Sequence, residues 1–399
     1  MKVVKVIYTL VFLLVMSSAM AQKKEISIAR NWVKSGNNLD KAEQSMLTLL
    51  KDSANRKNEK VWNILFESLR KQYASGNEKL YLKQKYDTAS LFNIASRMFT
   101  VMASYDSIDA LPDKNGKVNP QHRRDNGNLL NSLRPNLYNG GLFYIRKQDF
   151  ASAYHFFDQY IETARQPLFT AFHYTEKDKR LPEAAYWAVY SAYKMKDPQK
   201  TLHHTYLALK DTAHYEMMLQ YLAATYQLEG DSVRMVETLK EGFSHYPLST
   251  YFYPHLINYY SEKQQWHEAL SLTDEALQKD SLNESFLLAK SSILLNLGDY
   301  KASYRISQSL LARNDSLAEA NLNAGLALFN QGVDIDKEPA TTARRRRDIL
   351  KFYHQALPFL EKYRKQCPDR QDKWALPLYT IYLNLNMGKQ FDEIDKLLK

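Results

Sequence analysis

The sequence predicts an all-α chain built from stacked antiparallel helix pairs, and three observations carry that prediction. Glycine and proline number only 12 each among 399 residues, while hydrophobic residues make up 45%, a balance that favours long ordered helices over turn-rich architectures. Three stretches repeat: "GDSVRMVETLKEGFSHYP" from Gly230, "QQWHEALSLTDEALQKDS" from Gln264 and "GDYKASYRISQSLLARND" from Gly298 start at intervals of 34 residues. Within them, large apolar residues recur at helical spacing and small residues fall where two helices would meet.

Residues 216–249, 250–283, 284–317 and a unit starting at Ala318 follow one another without a gap. Large residues fall at position 4 of three units (Leu219, Tyr253, Leu287) and at position 11 of all four (Tyr226, Tyr260, Leu294, Leu328). Small ones fall at position 8 (Ala223, Ser291, Gly325) and position 20 (Ala269, Ser303, Ala356). Small side chains let the first and second helices of a unit approach closely, and larger ones fill the space between units. With this period and these positions the chain resembles the tetratricopeptide-repeat (TPR) family over most of its length. The resemblance implies a TPR-like α-solenoid, a right-handed superhelix of antiparallel helix pairs, serving as a binding scaffold and not as a catalyst.

Earlier units are less regular. "LYNGGLFYIRKQDFASAYHFFDQYIE" supplies Leu137, Gly141, Tyr144, Phe150, Ala153, Phe157 and Tyr160 at the expected places. The next unit, "AAYWAVYSAYKMKDPQKTLHHTYLALK", departs at two small positions, occupied by Tyr190 and Leu202, and should pack loosely or serve a special role. Ala42, Met46 and Leu49 mark a degenerate unit near the N-terminus. Between it and Arg134 lies an irregular helical stretch with a loop at "DALPDKNGKVNPQ". The expected organisation is a leader at 1–21, an N-terminal helical region at 22–133 and a repeat array at 134–399.

The leader reading rests on Lys2 and Lys5, the apolar run Val6 to Met16, and Ala19-Met20-Ala21. These predict a secretory signal peptide cleaved before Gln22, and hence an exported protein of the periplasm or outer membrane. No later segment approaches the roughly 20 apolar residues of a spanning helix. The formal charge of +10 is a mild basic bias for a chain this long. One cysteine, Cys367, permits neither an internal disulfide nor a multi-cysteine metal site, and reads as a small buried apolar residue. "NEKLYLKQKYDTAS" and "RPNLYNGG" also look like segments of exported Bacteroidetes repeat proteins.

"DKEPATTARRRRDIL", residues 336–350, interrupts the last regular unit. Gly332 and Ala356 stand 24 residues apart where the repeat separates them by 5, so a helical hairpin is inserted at about 333–351. Pro339 reads as a stop, Thr341 and Thr342 as an N-cap, and a helix starting near Ala343 should bend near Pro358. Arg344, Arg345, Arg346 and Arg347 would then surround the hairpin tip, since consecutive helical positions rotate by about 100°. They pair locally with Asp334, Asp336 and Glu338, or they meet an anionic partner such as a membrane or acidic surface. Nucleic acid is not expected, because no aromatic-interleaved basic stripe accompanies the run.

No catalytic constellation, cofactor motif or metal-ligand spacing emerges. "WHEAL" lacks the second histidine of a zinc protease helix. His203 and His204 are adjacent, so one helix would point them about 100° apart and leave both partly exposed, a poor start for a shared metal. Seven Asp-Ser/Thr-aliphatic stretches, at Ser53, Thr88, Ser107, Thr212, Ser232, Ser281 and Ser316, resemble the O-glycosylation sequon of exported Bacteroidetes proteins; Asp and Ser are equally favoured turn and cap residues. In the TPR family the concave groove is lined mainly by positions 2, 5, 9, 12 and 13 of the first helix, which here implies Tyr138, Arg146, Trp187, Lys194, Gln220, Gln227, Tyr251, Asn258 and Asn330. The expected function is a non-catalytic scaffold of the cell envelope that holds a peptide or partner protein. The alternative is a glycan-binding accessory of an outer-membrane uptake system, although the chain has neither the lipidated cysteine nor the large insertion of such binders.

Overall fold

The computed structural model describes residues 21–337 and 342–399, and among them there are helices and no strands. The leader up to Met20, with most of its cleavage site, and Glu338, Pro339 and Thr341 lie outside the described residues. The chain divides into two compact units, one running to Met235 and the other from Val236 to Lys399. No described helix is long and apolar enough to cross a membrane.

In the first unit, helix α1 (residues 21–35) and α2 (Leu39–Leu50) form the degenerate pair, with Ala42, Met46 and Leu49 buried as their spacing predicts. Two long helices follow, α3 (Glu59–Tyr81) and α4 (Thr88–Asp109), then α5 (Arg123–Leu133) beyond the expected loop. That loop turns at Gly116, whose φ of 76° favours glycine, while Asp113 accepts from the amides of Asn115 and Lys117. Helices α6 (Pro135–Arg146) and α7 (Phe150–Glu162) form the next pair. A short helix α8 (Tyr174–Lys177) precedes α9 (Leu181–Lys194). The second helix of the α9 pair is broken in two, α10 (Pro198–His203) and α11 (Thr205–Ala208), and this is the pair whose small positions hold Tyr190 and Leu202. Helix α12 (Tyr215–Glu229) completes the series.

Close approach in α6/α7 comes from missing side-chain volume. A Cβ on Gly141 would sit 2.5 Å from Cζ of Phe157, whose ring is fully buried and meets Tyr138 edge-on at 5.7 Å. A buried arginine ties the irregular segments together. Arg134 lies between the rings of Tyr160 and Tyr174, at 3.7 and 3.8 Å, donates to Thr163 Oγ1 at 2.7 Å and pairs with Asp178 at 2.6 Å. Burial pushes the Asp178 carboxyl up, but donors from Tyr160, Arg134 and the Arg180 amide outweigh it and hold the group below its usual value.

Helix α13 (Ser232–His245) carries the chain across the unit boundary. The second unit then continues with α14 (Phe252–Glu262), α15 (Trp266–Lys279), α16 (Glu284–Asn296), α17 (Tyr300–Arg313), α18 (Ala318–Asp336), α19 (Ala343–Gln366), α20 (Gln371–Asn384) and α21 (Gly388–Leu398). The small positions sit where the repeat requires: Ala269 and Ala356 are fully buried, and Gly325 faces Leu360. Ser291 meets Ser307 at 2.6 Å, so hydroxyls satisfy one another at the α16–α17 contact. The inserted hairpin is two overlong helices, α18 of 19 residues and α19 of 24, against 11 to 14 in α14 to α17. Thr342 caps α19 by accepting from the Arg345 amide at 3.2 Å, and Gly332 leaves room for Tyr353 across the hairpin. Helix α19 runs without interruption through Pro358. Cys367 is only half-buried, unlike the core residue expected, because it is the residue on which α19 ends; its carbonyl accepts from Trp374 Nε1 at 3.2 Å.

Candidate partner-binding surface

Two of the groove positions expected in the first unit, Trp187 and Lys194, lie on α9 with Tyr190 between them. Trp187, Tyr190 and Lys194 are spaced three and four residues apart, so a helix presents them on one face. Trp187 and Tyr190 are half-buried and Lys194 is exposed, with its ammonium 5.4 Å from the Tyr190 ring. The Trp187 and Tyr190 rings meet at right angles, 5.7 Å apart, and Tyr193 stacks on Tyr221 of α12 at 4.6 Å. Tyr186 stacks on His214 at 4.0 Å, and Asp211 bonds the far side of that imidazole at 2.7 Å. Burial raises the Tyr186 and Tyr221 hydroxyls above the usual phenol range, so both rings stay neutral. The indole N–H of Trp187 is covered and has no acceptor, an unpaired donor of a kind few native structures leave.

The other expected positions scatter in environment. Arg146 and Gln227 are exposed, and Gln220 is half-buried with its amide 3.4 Å from Glu216. Tyr138 is not surface: it is 6% exposed, packed on Phe157 and Tyr160 with the Arg180 guanidinium 5.6 Å from its ring. The segment carrying Tyr174 and Arg180 covers α6 there, which regular repeats would not do. In the second unit Tyr251 precedes α14 and stacks on His255 at 4.0 Å, Asn258 is exposed, and Asn330 is half-buried on α18. Sequence reasoning named Trp187 and Lys194 but assigned Tyr190 only as an anomaly; its place at a position meant for a small residue was the available signal.

The arginine run occupies the first turn of α19. Arg344, Arg346 and Arg347 are exposed and Arg345 is half-buried. Asp334 bonds Lys337 at 3.2 Å, and among the described residues no ion pair links it or Asp336 to Arg344, Arg346 or Arg347. Asp334 and Lys337 lie one turn apart on one helix, so their contact forms without spanning the hairpin. Glu338 is outside the described residues.

Most of the Asp-Ser/Thr stretches have a structural task. Asp52, Asp87, Asp211, Asp231 and Asp280 each accept an amide two or three residues on, as caps and turns do. Ser53, Ser107, Thr212, Ser232, Ser281 and Ser316 are exposed and Thr88 is half-buried; Ser107 lies inside α4, where it donates to the Ala103 carbonyl.

The histidine pair differs from expectation. Helix α10 stops at His203, so His204 leaves the helical path; it is 3% exposed and bonds Asp158 at 2.8 Å. Ser96 Oγ lies 3.2 Å from His155 Nε2 but has a shorter bond, 2.7 Å, to Gln159. Among the described residues no carboxylate is hydrogen-bonded to the His155 ring, so the arrangement lacks the orienting group of a nucleophilic triad.

Against known proteins, no protein-family model matches the chain, and no curated protein matches it. Among solved structures it is similar to the C-terminal part of a TPR repeat-containing protein from Cytophaga hutchinsonii, at 12% identity over 64% of this chain and 92% of that one, with a TM-score of 0.43. It is similar to a TPR repeats protein from Bacteroides fragilis at 12% identity, covering 66% and 98% of the two chains with a TM-score of 0.31. Yeast Tom70 gives 11% identity, 92% and 89% coverage, and a TM-score of 0.33.

Proposed function

We propose that the chain is a non-catalytic scaffold, exported to the cell envelope, that holds a peptide or partner protein against the α9 face of its first unit. The observation that supports this reading is the row of Trp187, Tyr190 and Lys194 on one helix face. Tryptophan and tyrosine supply large contact area with little conformational entropy to lose, and they dominate binding energy at interfaces. Arg146 and Lys194 are exposed cations on the first helices of two successive pairs, which favours a partner with apolar anchors and a carboxylate. Helices of a repeat array are ordered before binding, so the ordering cost falls on the partner. Cleavage before Gln22 belongs to the same proposal and rests on the leader's sequence alone.

The test is quantitative crosslinking and affinity capture from envelope extracts, comparing the chain with a Trp187→Ala/Lys194→Glu variant of unchanged helical circular dichroism. A partner enriched by the first and lost from the second supports the scaffold reading. Identical partners on both would sink it. Retention by glycans that depends on Trp187 would transfer the site to an uptake accessory.

A further inference from the structure

Four ligand-type side chains converge in the first unit. Asp158 and Glu162 stand one turn apart on α7, so their carboxylates share a face. His203 and His204 come from the point where α10 ends: His204, with φ −108° and ψ 14°, turns out of the helix, and the two rings meet with centroids 4.3 Å apart at 65°. One donor atom from each of the four lies within 4.8 Å of the other three. His204 is 3% exposed and holds Asp158 Oδ1 at 2.8 Å. Glu162 Oε1 is covered and has no hydrogen bond; its nearest cation is the Arg165 guanidinium at 3.6 Å, on an arm that is 69% exposed and free to swing away. His203 is exposed, which leaves a path from solvent.

We propose that Asp158, Glu162, His203 and His204 bind one divalent transition-metal cation of the zinc class. Two imidazoles with two carboxylates form a borderline donor set suited to zinc, whereas calcium and magnesium take oxygen ligands almost exclusively. Tetrahedral zinc with bonds of about 2.0–2.2 Å places its ligand atoms about 3.3–3.6 Å apart. The longest separation here, 4.8 Å, therefore closes by about 1.2–1.5 Å, within reach of side-chain rotation. The His204–Asp158 hydrogen bond opens as the cation enters, His204 Nε2 becomes a ligand, and the ring proton resides on Nδ1. The Glu162 carboxylate, which lacks a hydrogen-bond partner on Oε1, gains a partner in the same cation. Four protein donors close the coordination shell, so the site is structural: it clamps the end of α10 to α7.

The full chain, prepared without a polyhistidine tag and stripped with EDTA, is titrated with Zn2+ against a chromophoric chelator. The expected result is one zinc per chain, with a dissociation constant on the order of 1 µM or tighter, a raised Tm that EDTA reverses, and no response to Ca2+ or Mg2+. His203→Ala removes an exposed ligand and leaves the buried His204–Asp158 bond in place, so its circular dichroism and metal-free Tm stay as in the parent. Glu162→Gln is an isosteric second probe. Each weakens zinc binding about tenfold or more. Absence of stoichiometric zinc overturns the assignment, as does unchanged affinity in both variants, which would place the metal elsewhere among the 10 histidines. Calcium bound at this site in place of zinc also overturns it.

Discussion

Replacing Gly141 by alanine tests whether the α6–α7 contact depends on the missing side chain. The added methyl would lie 2.5 to 2.7 Å from Cζ, Cε2 and Cε1 of Phe157, where carbon atoms prefer about 3.5–4.0 Å. Phe157 is 0% exposed and flanked by Tyr138, so its ring has nowhere to swing. Overpacking of this kind costs about 1–3 kcal/mol, and a confined ring places this case near the top of that range. Alanine recovers about 1 kcal/mol through its better helix propensity. The net expectation is a loss of about 2 kcal/mol. In urea denaturation followed by helical circular dichroism, with m of about 2–3 kcal/mol/M, the midpoint of the transition that melts α6 and α7 falls by about 0.7–1 M. Adding Phe157→Leu to the variant should restore part of the loss. Gly388→Ala, where no atom lies within 4 Å of the new methyl, should cause none. A Gly141→Ala midpoint equal to or above that of the parent would mean that propensity outweighs the contact, and the steric reasoning would be refuted.

Ala269 is fully buried on α15, so Ala269→Leu should lower the stability of the second unit by about 1–3 kcal/mol, read as a reduced thermal midpoint; an unchanged midpoint would contradict the repeat register. Arg134→Met leaves Asp178, only 12% exposed, without its cation and should cost about 3–5 kcal/mol, part of which Asp178→Asn in the same chain recovers. Because the folded Asp178 carboxyl sits below its usual value, the stability it contributes is present above pH of about 4 and is lost as pH falls through the folded value. The acid side of a stability–pH profile should therefore be shallower in Asp178→Asn.

The repeat period made the second unit readable because it is a geometric demand: Ala269, Ser291, Ser303, Gly325 and Ala356 must be small wherever two helices touch, and all five are buried. Local chemistry was equally legible where it acts within a few residues, as with Thr342 capping α19. What the sequence concealed depends on segments far apart in the chain. Arg134 is held by Tyr160, Thr163, Tyr174 and Asp178; Tyr174 sits in a four-residue helix entered through His173 in the left-handed conformation, and no periodic pattern announces that. Tyr138 matched a groove position by count but lies under this irregular segment. Trp187 and Lys194 could be named from spacing, whereas the covered, unpaired indole N–H could not. The convergence of Asp158, Glu162, His203 and His204 appears only once α10 is seen to stop at His203, since an unbroken helix would have separated the rings.

Helices of this chain pack almost entirely against those one to three places away in order, as α18 does on α17, α19 and α20. Low sequence separation makes for low contact order, and loop closure then costs little before contacts repay it. Each helix pair can form as soon as its own residues are available, without waiting for distant segments. Folding speed should therefore respond sharply to substitutions in whichever pair nucleates first and weakly to those elsewhere, which raise the unfolding rate instead. A single faulty pair becomes a local opening and leaves more distant pairs of its unit largely intact, so hydrogen exchange would find protection lost around the damaged hairpin and retained beyond it.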